Sequence, residues 1–165
     1  MGQQSLCTDD LKIIDKYSVM VYRMAYSLVK NPYDAEDIHQ EVFVRYILKR
    51  PAFESEEHEK AWFLRVTINL CKNLWKTVWK QRVVGLGEAM EEPGAAAEEQ
   101  AEESILAVVK QLPRKYRVVI HLFYYEELSV EEISKVLQMK PSTVRTRLTR
   151  ARARLKELLE EKEEF

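Results

Sequence analysis

Apolar residues recur at the spacing of an α-helix through most of the chain, and in its N-terminal half they predict three helices. The first covers residues 10–29, and the third covers about residues 57–82. The second begins at Pro32, because Asn31 can cap a helix and proline fits the first turn. The positions expected to face inward are Leu11, Ile14, Tyr17, Val21, Met24, Ala25 and Leu28, then Ala35, Ile38, Val42 and Tyr46, then Trp62, Phe63, Val66, Leu70 and Leu74.

The C-terminal half predicts a short helix followed closely by a second one. Ser129 and Glu132 have the spacing of a capping box, so a helix should begin directly after Ser129, and Pro141 suits the first turn of the next. The apolar positions of the two helices are Ile133, Val136 and Leu137, then Val144, Leu148, Ala151 and Leu155. The short corner between them is typical of a helix-turn-helix, although Gln138 stands where such corners often use glycine to reach a positive φ.

The second helix of this motif is strongly basic. Residues 138–156 contain no acidic residue, in a chain whose formal net charge is only -1. Because the apolar stripe turns most of the arginines outward, and guanidinium groups suit phosphates and guanine edges, we expect a nucleic-acid surface. In helix-turn-helix geometry, the residues that face bases or their phosphates are Arg145, Thr146, Thr149 and Arg150. The alternative is a solvated surface helix with salt bridges.

Two outward faces of the N-terminal half are candidate interaction surfaces. The second helix presents Asp34, Asp37, Gln40 and Glu41. Acids near a helix start also favour the helix dipole, so partner binding and simple helix stabilisation both remain open. The third helix presents Asn69, Lys72, Asn73, Lys76 and Lys80 beside Trp75 and Trp79. This mixture suits single-stranded nucleic acid, because bases stack on rings while lysines meet phosphates. The alternative is that Trp62 and one of the two later tryptophans are core residues, and for Trp62 we expect the core.

Composition and charge order indicate an all-α protein made of two small helical domains. The 165 residues include only 4 glycines and 5 prolines, and 46% of them are hydrophobic, which is enough for a core. We expect domains at residues 1–82 and 102–165, joined by a flexible linker at residues 83–101 whose only charged residues are glutamates. The acidity of the linker serves either solubility or the protection of basic surfaces from nonspecific binding.

The sequence predicts no metal, cofactor or catalytic constellation. Cys7 and Cys71 are too few for a disulfide framework and lack metal-ligand spacing, and the three histidines are scattered. Cys71 is expected to be a small core residue. No apolar run reaches the length of a signal peptide or a membrane span, so we expect a cytoplasmic protein without membrane insertion.

Three segments together resemble an extracytoplasmic-function sigma factor. They are NPYDAEDIHQEVFVRYI, AWFLRVTINLCKNLWK and LPRKYRVVIHLFYYEELSVEEISKVLQMKPSTVRTRLTRARARLKELL. Members of this family are small initiation factors of bacterial RNA polymerase, reduced to two helical domains called region 2 and region 4. The resemblance covers about residues 11–82 and 102–160, and it implies that residues 1–82 form region 2 and residues 102–165 form region 4.

For region 2, the resemblance implies two functions. The surface that docks on the clamp helices of the largest polymerase subunit would consist of Asp34, Asp37, Gln40 and Glu41. Residues 51–59 resemble the loop that captures a base flipped out of the minus-10 element, with Phe53 at a pocket position. The melted non-template strand would then lie along Asn69, Lys72, Asn73 and Lys76. The loop of this chain, FESEEHE, is unusually acidic, which leaves its base preference open.

For region 4, the resemblance implies recognition of the minus-35 element as duplex DNA. The residues matching base-recognising and adjacent positions are Arg145, Thr146, Thr149 and Arg150, while Ser142, Thr143 and Arg147 match phosphate contacts. Pro113 should stand near a helix start, with Val118, Val119, Leu122 and Phe123 in the core. The implied partners are the polymerase core, including its clamp helices and flap, promoter DNA, and an anti-sigma factor. The chemistry belongs to the core enzyme, so the chain is not expected to be an enzyme.

Two other classes of protein compete with this hypothesis. A stand-alone helix-turn-helix regulator would use the same basic helix, but it would also need a dimer interface and an effector domain. A helical scaffold would leave every charged face solvated, and it would not explain the acid-free run at residues 138–156.

Overall fold

The computed structural model describes the backbone of residues 6–85 and 105–163, and the side chains of residues 6–77 and 107–161. These residues form two compact units, the N-terminal unit (6–85) and the C-terminal unit (105–163). Every regular element in them is helical, which confirms the predicted all-α class. None of the helices in the described ranges combines the length and apolar content that a membrane-spanning segment needs.

Three helices make up the N-terminal unit: α1 (Thr8–Val29), α2 (Pro32–Lys49) and α3 (Glu56–Gly85). The predicted cap is confirmed, because the Asn31 side chain accepts hydrogen bonds from the N–H groups of Tyr33 and Asp34. Helix α3 continues through Gly85, beyond the predicted helix end at residue 82. The predicted linker falls mostly on residues 86–101, outside the described residues, so its limits stay a prediction.

The core of the N-terminal unit centres on Phe63. Its ring stacks on Tyr17 with centroids 4.6 Å apart, and it also contacts Phe43 and Tyr46. All four predicted inward positions of α2 are buried, and so is Cys71, as predicted. Leu11 was predicted to face inward, but half of its surface is exposed.

The predicted inward face of α3 is wrong in part. Of the five predicted positions only Phe63 is buried, whereas Trp62, Val66, Leu70 and Leu74 are half-buried. The buried stripe instead contains Leu64, Thr67, Ile68 and Cys71. Polar Thr67 can lie inside because its hydroxyl donates to the Phe63 carbonyl at 2.6 Å. Apolar residues occur on several sides of α3, so the packing of α1 and α2 decides which side is buried.

An ion pair between buried Asp10 and partly exposed Arg50 joins the start of α1 to the end of α2. Asp10 is almost fully buried, and its two carboxylate oxygens accept from the Arg50 guanidinium, each at 3.0 Å. The Cys7 backbone N–H also donates to Asp10, at 3.1 Å, and the Tyr46 hydroxyl lies 3.4 Å away. The pKa of Asp10 is below its usual value. The hydrogen bond from the Cys7 N–H is the largest cause, and the hydrogen bond from Arg50 is the second.

Four helices make up the C-terminal unit: α4 (Ile105–Val109), α5 (Arg114–Ile120), α6 (Val130–Leu137) and α7 (Pro141–Glu163), with a π-helical turn (His121–Tyr125) continuing α5. The predicted stripes of α6 and α7 are buried, except that Leu155 is half-buried. Pro113 directly precedes α5, as expected. Val118, Val119 and Leu122 are buried, whereas Phe123 was predicted in the core and is half-buried, because one side of its ring faces the Arg152 guanidinium.

The helix-turn-helix corner forms as predicted. Ser129 accepts from the Glu132 N–H at 3.1 Å, and the Glu132 carboxylate accepts from the Ser129 N–H at 2.8 Å. Gln138 adopts the left-handed conformation, with φ 56° and ψ 49°, although it is not glycine. The Ser134 hydroxyl donates to the Met139 carbonyl at 2.6 Å, and the Met139 N–H donates to the Ser134 carbonyl at 3.1 Å. These bonds help to hold the corner.

Candidate polymerase and nucleic-acid interfaces

The predicted DNA-facing residues of α7 lie on its solvent side. Burial of Val144, Leu148 and Ala151 fixes the rotation of the helix against α5 and α6. The exposed residues of the predicted set are Ser142, Arg145, Thr146, Thr149 and Arg150, and the half-buried ones are Thr143 and Arg147. The first turns of α7 therefore present hydroxyl and guanidinium groups together, and such groups can contact phosphates and base edges of a duplex.

The arginines of α7 divide into those with internal partners and those without. Arg145 lies 3.7 Å from Glu131, and Arg154 forms a 3.0 Å ion pair with Glu157. Arg152 donates to the Tyr124 hydroxyl at 2.7 Å, and its guanidinium lies over the Phe123 and Tyr124 rings. Within the described parts of the chain, neither Arg147 nor Arg150 forms an ion pair. These two arginines are therefore available for an external anion.

A cleft of about 340 Å³ separates the start of α5 from α7, and we call it the α5–α7 cleft. Its lining residues are Lys115, Tyr116, Ser142, Thr143, Thr146, Arg147 and Arg150. The Lys115 ammonium lies 5.1 Å from the centre of the Tyr116 ring. Sequence reasoning missed these two residues, although Lys115 and Tyr116 follow Pro113 and Arg114 in the first turn of the helix and were a visible signal there.

The predicted docking residues of α2 form one exposed face together with apolar side chains. Asp37, Gln40 and Glu41 are exposed, and Asp34 is half-buried. Along the same helix, the exposed apolar residues that sequence reasoning missed are Tyr33, Val44 and Leu48. Exposed apolar side chains can form the centre of a protein interface, and the acids beside them can form its polar rim. We call these seven residues the α2 face.

The helix dipole explains only part of the acidity of the α2 face. Asp34 lies in the first turn, where an acid is favoured, but the dipole effect falls off beyond that turn. Glu41 accepts from Arg45 at 3.2 Å, one turn further on, which is a local helix pair. Neither effect involves Asp37 or Gln40, and partner binding by these two exposed residues stays a prediction.

The predicted base-capture residue, Phe53, belongs to an aromatic cluster at the α2–α3 connection. Its half-buried ring lies 5.5 Å from His58, 6.0 Å from Trp62 and 6.3 Å from Phe63, measured between ring centres. Trp62, predicted to be core, is half-buried because it lies at the edge of this cluster. The cluster therefore offers partly exposed ring surface beside the connecting loop.

Two of the acidic residues in this loop region form contacts with α1. Lys16 contacts Glu56 at 2.5 Å and Glu59 at 3.3 Å, and the Tyr17 hydroxyl donates to Glu59 at 2.6 Å. Burial, and then the Glu59 carboxylate, raises the pKa of Tyr17, so this hydroxyl stays protonated. The start of α3 is thus fixed against α1.

The polar face of α3 is exposed as predicted. Asn69, Lys72, Asn73 and Lys76 are all exposed along the helix, and Trp75 is half-buried beside them. The side chains of Trp79 and Lys80 lie outside the described residues. The described part of α3 therefore carries two lysines and two asparagines on one solvent-facing surface, which can contact phosphates and base edges.

The fold and these surfaces define a two-unit helical protein with a DNA-binding motif, and comparison with known proteins identifies its family. The family model of Sigma-70 region 2 matches residues 13–81, and that of Sigma-70, region 4 matches residues 102–155. The ECF RNA polymerase sigma factor SigW of Bacillus subtilis is 30% identical over 176 residues, covering 96% of this chain and 91% of SigW. The RNA polymerase sigma-E factor of Streptomyces coelicolor is 34% identical over 139 residues, covering 83% of this chain and 78% of that factor.

A solved structure has the same fold. The sigma factor RpoE from Bartonella quintana, in complex with the anti-sigma factor NepR, superposes with a TM-score of 0.80 at 22% identity, covering 93% of this chain and 98% of RpoE. The chain belongs to the extracytoplasmic-function sigma factors of the sigma-70 family. It is a transcription initiation factor, and the comparisons do not favour a stand-alone regulator.

Proposed function

We propose that this chain brings RNA polymerase core to promoters by recognising the minus-35 element with α7. The observation that carries this proposal is the state of Arg147 and Arg150, which lie at the centre of the predicted contact set and form no ion pair within the described residues. Arg150 would contact bases together with Arg145, Thr146 and Thr149. Phosphate contacts would come from Ser142, Thr143 and Arg147.

We propose that the N-terminal unit docks on the polymerase and opens the minus-10 element. Asp34, Asp37, Gln40 and Glu41 would contact the clamp helices, with the apolar members of the α2 face adding buried area. Phe53 would stack against a flipped base, and Asn69, Lys72, Asn73 and Lys76 would follow the melted strand. Extrusion of a base costs a few kcal/mol, so the aromatic cluster has to return a comparable stacking energy.

The two DNA-binding surfaces would act together only on the polymerase. Each surface is small, and free protein should bind DNA weakly. When the core enzyme holds both units at the spacing of a promoter, the second contact becomes effectively intramolecular. The predicted linker would pass toward the active-site cleft and the RNA exit path.

The proposed setting is the bacterial cytoplasm, where polymerase and promoter DNA are found. The chain would also contact the polymerase flap, and it would use no metal or cofactor and carry no catalytic group of its own. We further propose that an anti-sigma factor binds this chain, since RpoE of Bartonella quintana was solved in complex with one.

Competition for labelled polymerase core tests the docking role. Asp37→Ala should raise the Kd for core by about tenfold, the effect of losing about 1.4 kcal/mol at an interface. Glu36→Ala is the matched control, because Glu36 is an exposed acid next to Asp37 that lies outside the predicted docking set. Equal affinities for the two variants would remove Asp37 from the docking surface.

Binding of reconstituted holoenzyme to promoter fragments tests the minus-35 role. Arg150→Ala should cost about 1 to 3 kcal/mol and relax specificity at one base pair, as loss of a bidentate base contact does. Arg154→Ala is the control, because Arg154 is already paired with Glu157. If Arg150→Ala weakened all sequences alike, Arg150 would be a phosphate contact instead.

A further inference from the structure

We propose that Lys115 and Tyr116 of α5 join Ser142, Thr143 and Arg147 of α7 in one site that binds a phosphate group. This inference rests on the proposed function, since the phosphate expected there is a backbone phosphate beside the base pairs that α7 recognises. It adds two residues from outside the helix-turn-helix to the DNA-binding surface.

The α5–α7 cleft is lined by positively charged side chains. Lys115, Arg147 and Arg150 line the α5–α7 cleft, and no acidic side chain lines it. Among the described residues, none of these three cations forms an ion pair, whereas Arg145 and Arg154 lie close to glutamates. Three like charges around one concave surface repel each other and raise the local concentration of anions. A bound anion removes this repulsion.

The α5–α7 cleft is also lined by residues that can donate hydrogen bonds. Tyr116, Ser142 and Thr143 line the same cleft. Each carries a hydroxyl group, and hydroxyls donate readily to phosphate oxygens. Tyr116 and Thr143 are half-buried, and Lys115 lies over the Tyr116 ring. These donors are therefore partly ordered before the anion arrives, which lowers the entropy cost of binding. Arg147 adds a planar fork that matches phosphate geometry.

The position of the cleft favours a DNA backbone phosphate over a free phosphorylated compound. Thr146 and Arg150 line the cleft and also belong to the predicted base-recognition set. A strand whose bases meet Arg150 would therefore carry its phosphates past the cleft mouth. Lys115 and Tyr116 would then contact the phosphates of that strand from α5.

Salt dependence of promoter binding tests the site in reconstituted holoenzyme. Each phosphate contact contributes about 0.9 to the slope of log K against log salt, so Lys115→Gln should make the slope shallower by about 0.9 and weaken binding about eightfold at about 0.1 M salt. Lys156→Gln is the matched control, because Lys156 is exposed on α7 but does not line the cleft. If both variants changed the slope equally, only general charge would matter and the site would be wrong.

A scan with methylphosphonate linkages locates the phosphate. For wild type, neutralising one backbone phosphate near the minus-35 element should reproduce the loss seen with Lys115→Gln, and the variant should lose nothing more at that linkage. Tyr116→Phe should show a smaller loss at the same linkage. If the loss caused by Lys115→Gln and the loss caused by the neutral linkage were additive at every linkage, the proposal would be overturned.

Titration with inorganic phosphate separates the two sources of the anion. One outcome is that phosphate shifts the NMR signals of Lys115 and Thr143 in the full chain while Lys115→Gln leaves promoter binding unchanged. In that case the cleft would bind a small molecule, and the DNA assignment would be wrong. If wild-type holoenzyme showed no promoter preference, the proposed function itself would fail. If wild type were active and Lys115→Gln behaved like Lys156→Gln, only the phosphate site would fail.

Discussion

Replacement of Gln138 by glycine should stabilise the C-terminal unit. Gln138 follows α6 with φ 56° and ψ 49°, a conformation in which the Cβ atom is crowded and which costs about 1 to 2 kcal/mol. Glycine removes this cost but loses about 0.5 to 1 kcal/mol more backbone entropy on folding. The expected net gain is about 0.5 to 1 kcal/mol.

The rest of the corner should not change in this variant. The Gln138 side chain is exposed and forms no hydrogen bond within the described residues, so glycine removes no contact. The backbone N–H of residue 138 donates to the Ser134 carbonyl, and glycine keeps this bond. The orientation of α7 against α6, and therefore DNA recognition, should stay as in wild type.

Scanning calorimetry of the full chain measures the effect. In a domain of this size 1 kcal/mol corresponds to about 4 to 8 °C, so the midpoint of the C-terminal unit should rise by about 2 to 8 °C. Lys135→Gly, inside α6, is the control and should lower the same midpoint, because glycine in a helix costs about 1 kcal/mol. A midpoint for Gln138→Gly at or below that of wild type would refute the left-handed geometry of the corner.

Three further predictions concern stability. Ser129→Ala removes the 3.1 Å bond to the Glu132 N–H and should cost about 1 kcal/mol, measured by calorimetry. Leu148→Ala empties a site that is 2% exposed and should cost about 2 to 5 kcal/mol in urea unfolding; a cost below 1 kcal/mol would contradict the assigned packing. The folded state lowers the pKa of Asp10, which pairs with Arg50. The pairing therefore stabilises the fold fully above the unfolded pKa of Asp10, near 3.8. This stability is lost as the pH falls through the lower folded pKa. Asp10→Asn should therefore lower the urea midpoint at about pH 7 but approach wild type at about pH 2, and a difference that did not change with pH would exclude an ionic cause.

Signals between residues close in sequence predicted local structure well. The Asn31 cap and the Ser129–Glu132 capping box were visible in the sequence, because each joins groups within one helical turn. The buried face of α2 was also predictable, since its apolar residues lie on one side and its acids on the other. The solvent side of α7 followed from the same kind of pattern.

Features that depend on packing between distant segments were not predictable from one sequence. The buried face of α3 was misassigned, because the contacts of α1 and α2 selected Leu64 and Thr67 rather than Val66 and Leu70. The pairing of Asp10 with Arg50 joins opposite ends of two helices. Likewise, Lys115 lines the same cleft as Thr146 and Arg150 only because α5 packs on α7.

Run-off transcription with purified polymerase core measures whether this chain directs the polymerase to promoters. On a library of promoter fragments, the chain should direct specific initiation from a subset of them, core alone should not, and both Asp37→Ala and Arg150→Ala should reduce the specific transcripts. Promoter recognition together with polymerase would be excluded if the chain added to core gave no specific transcript, while the chain alone bound a palindromic duplex tightly as a dimer.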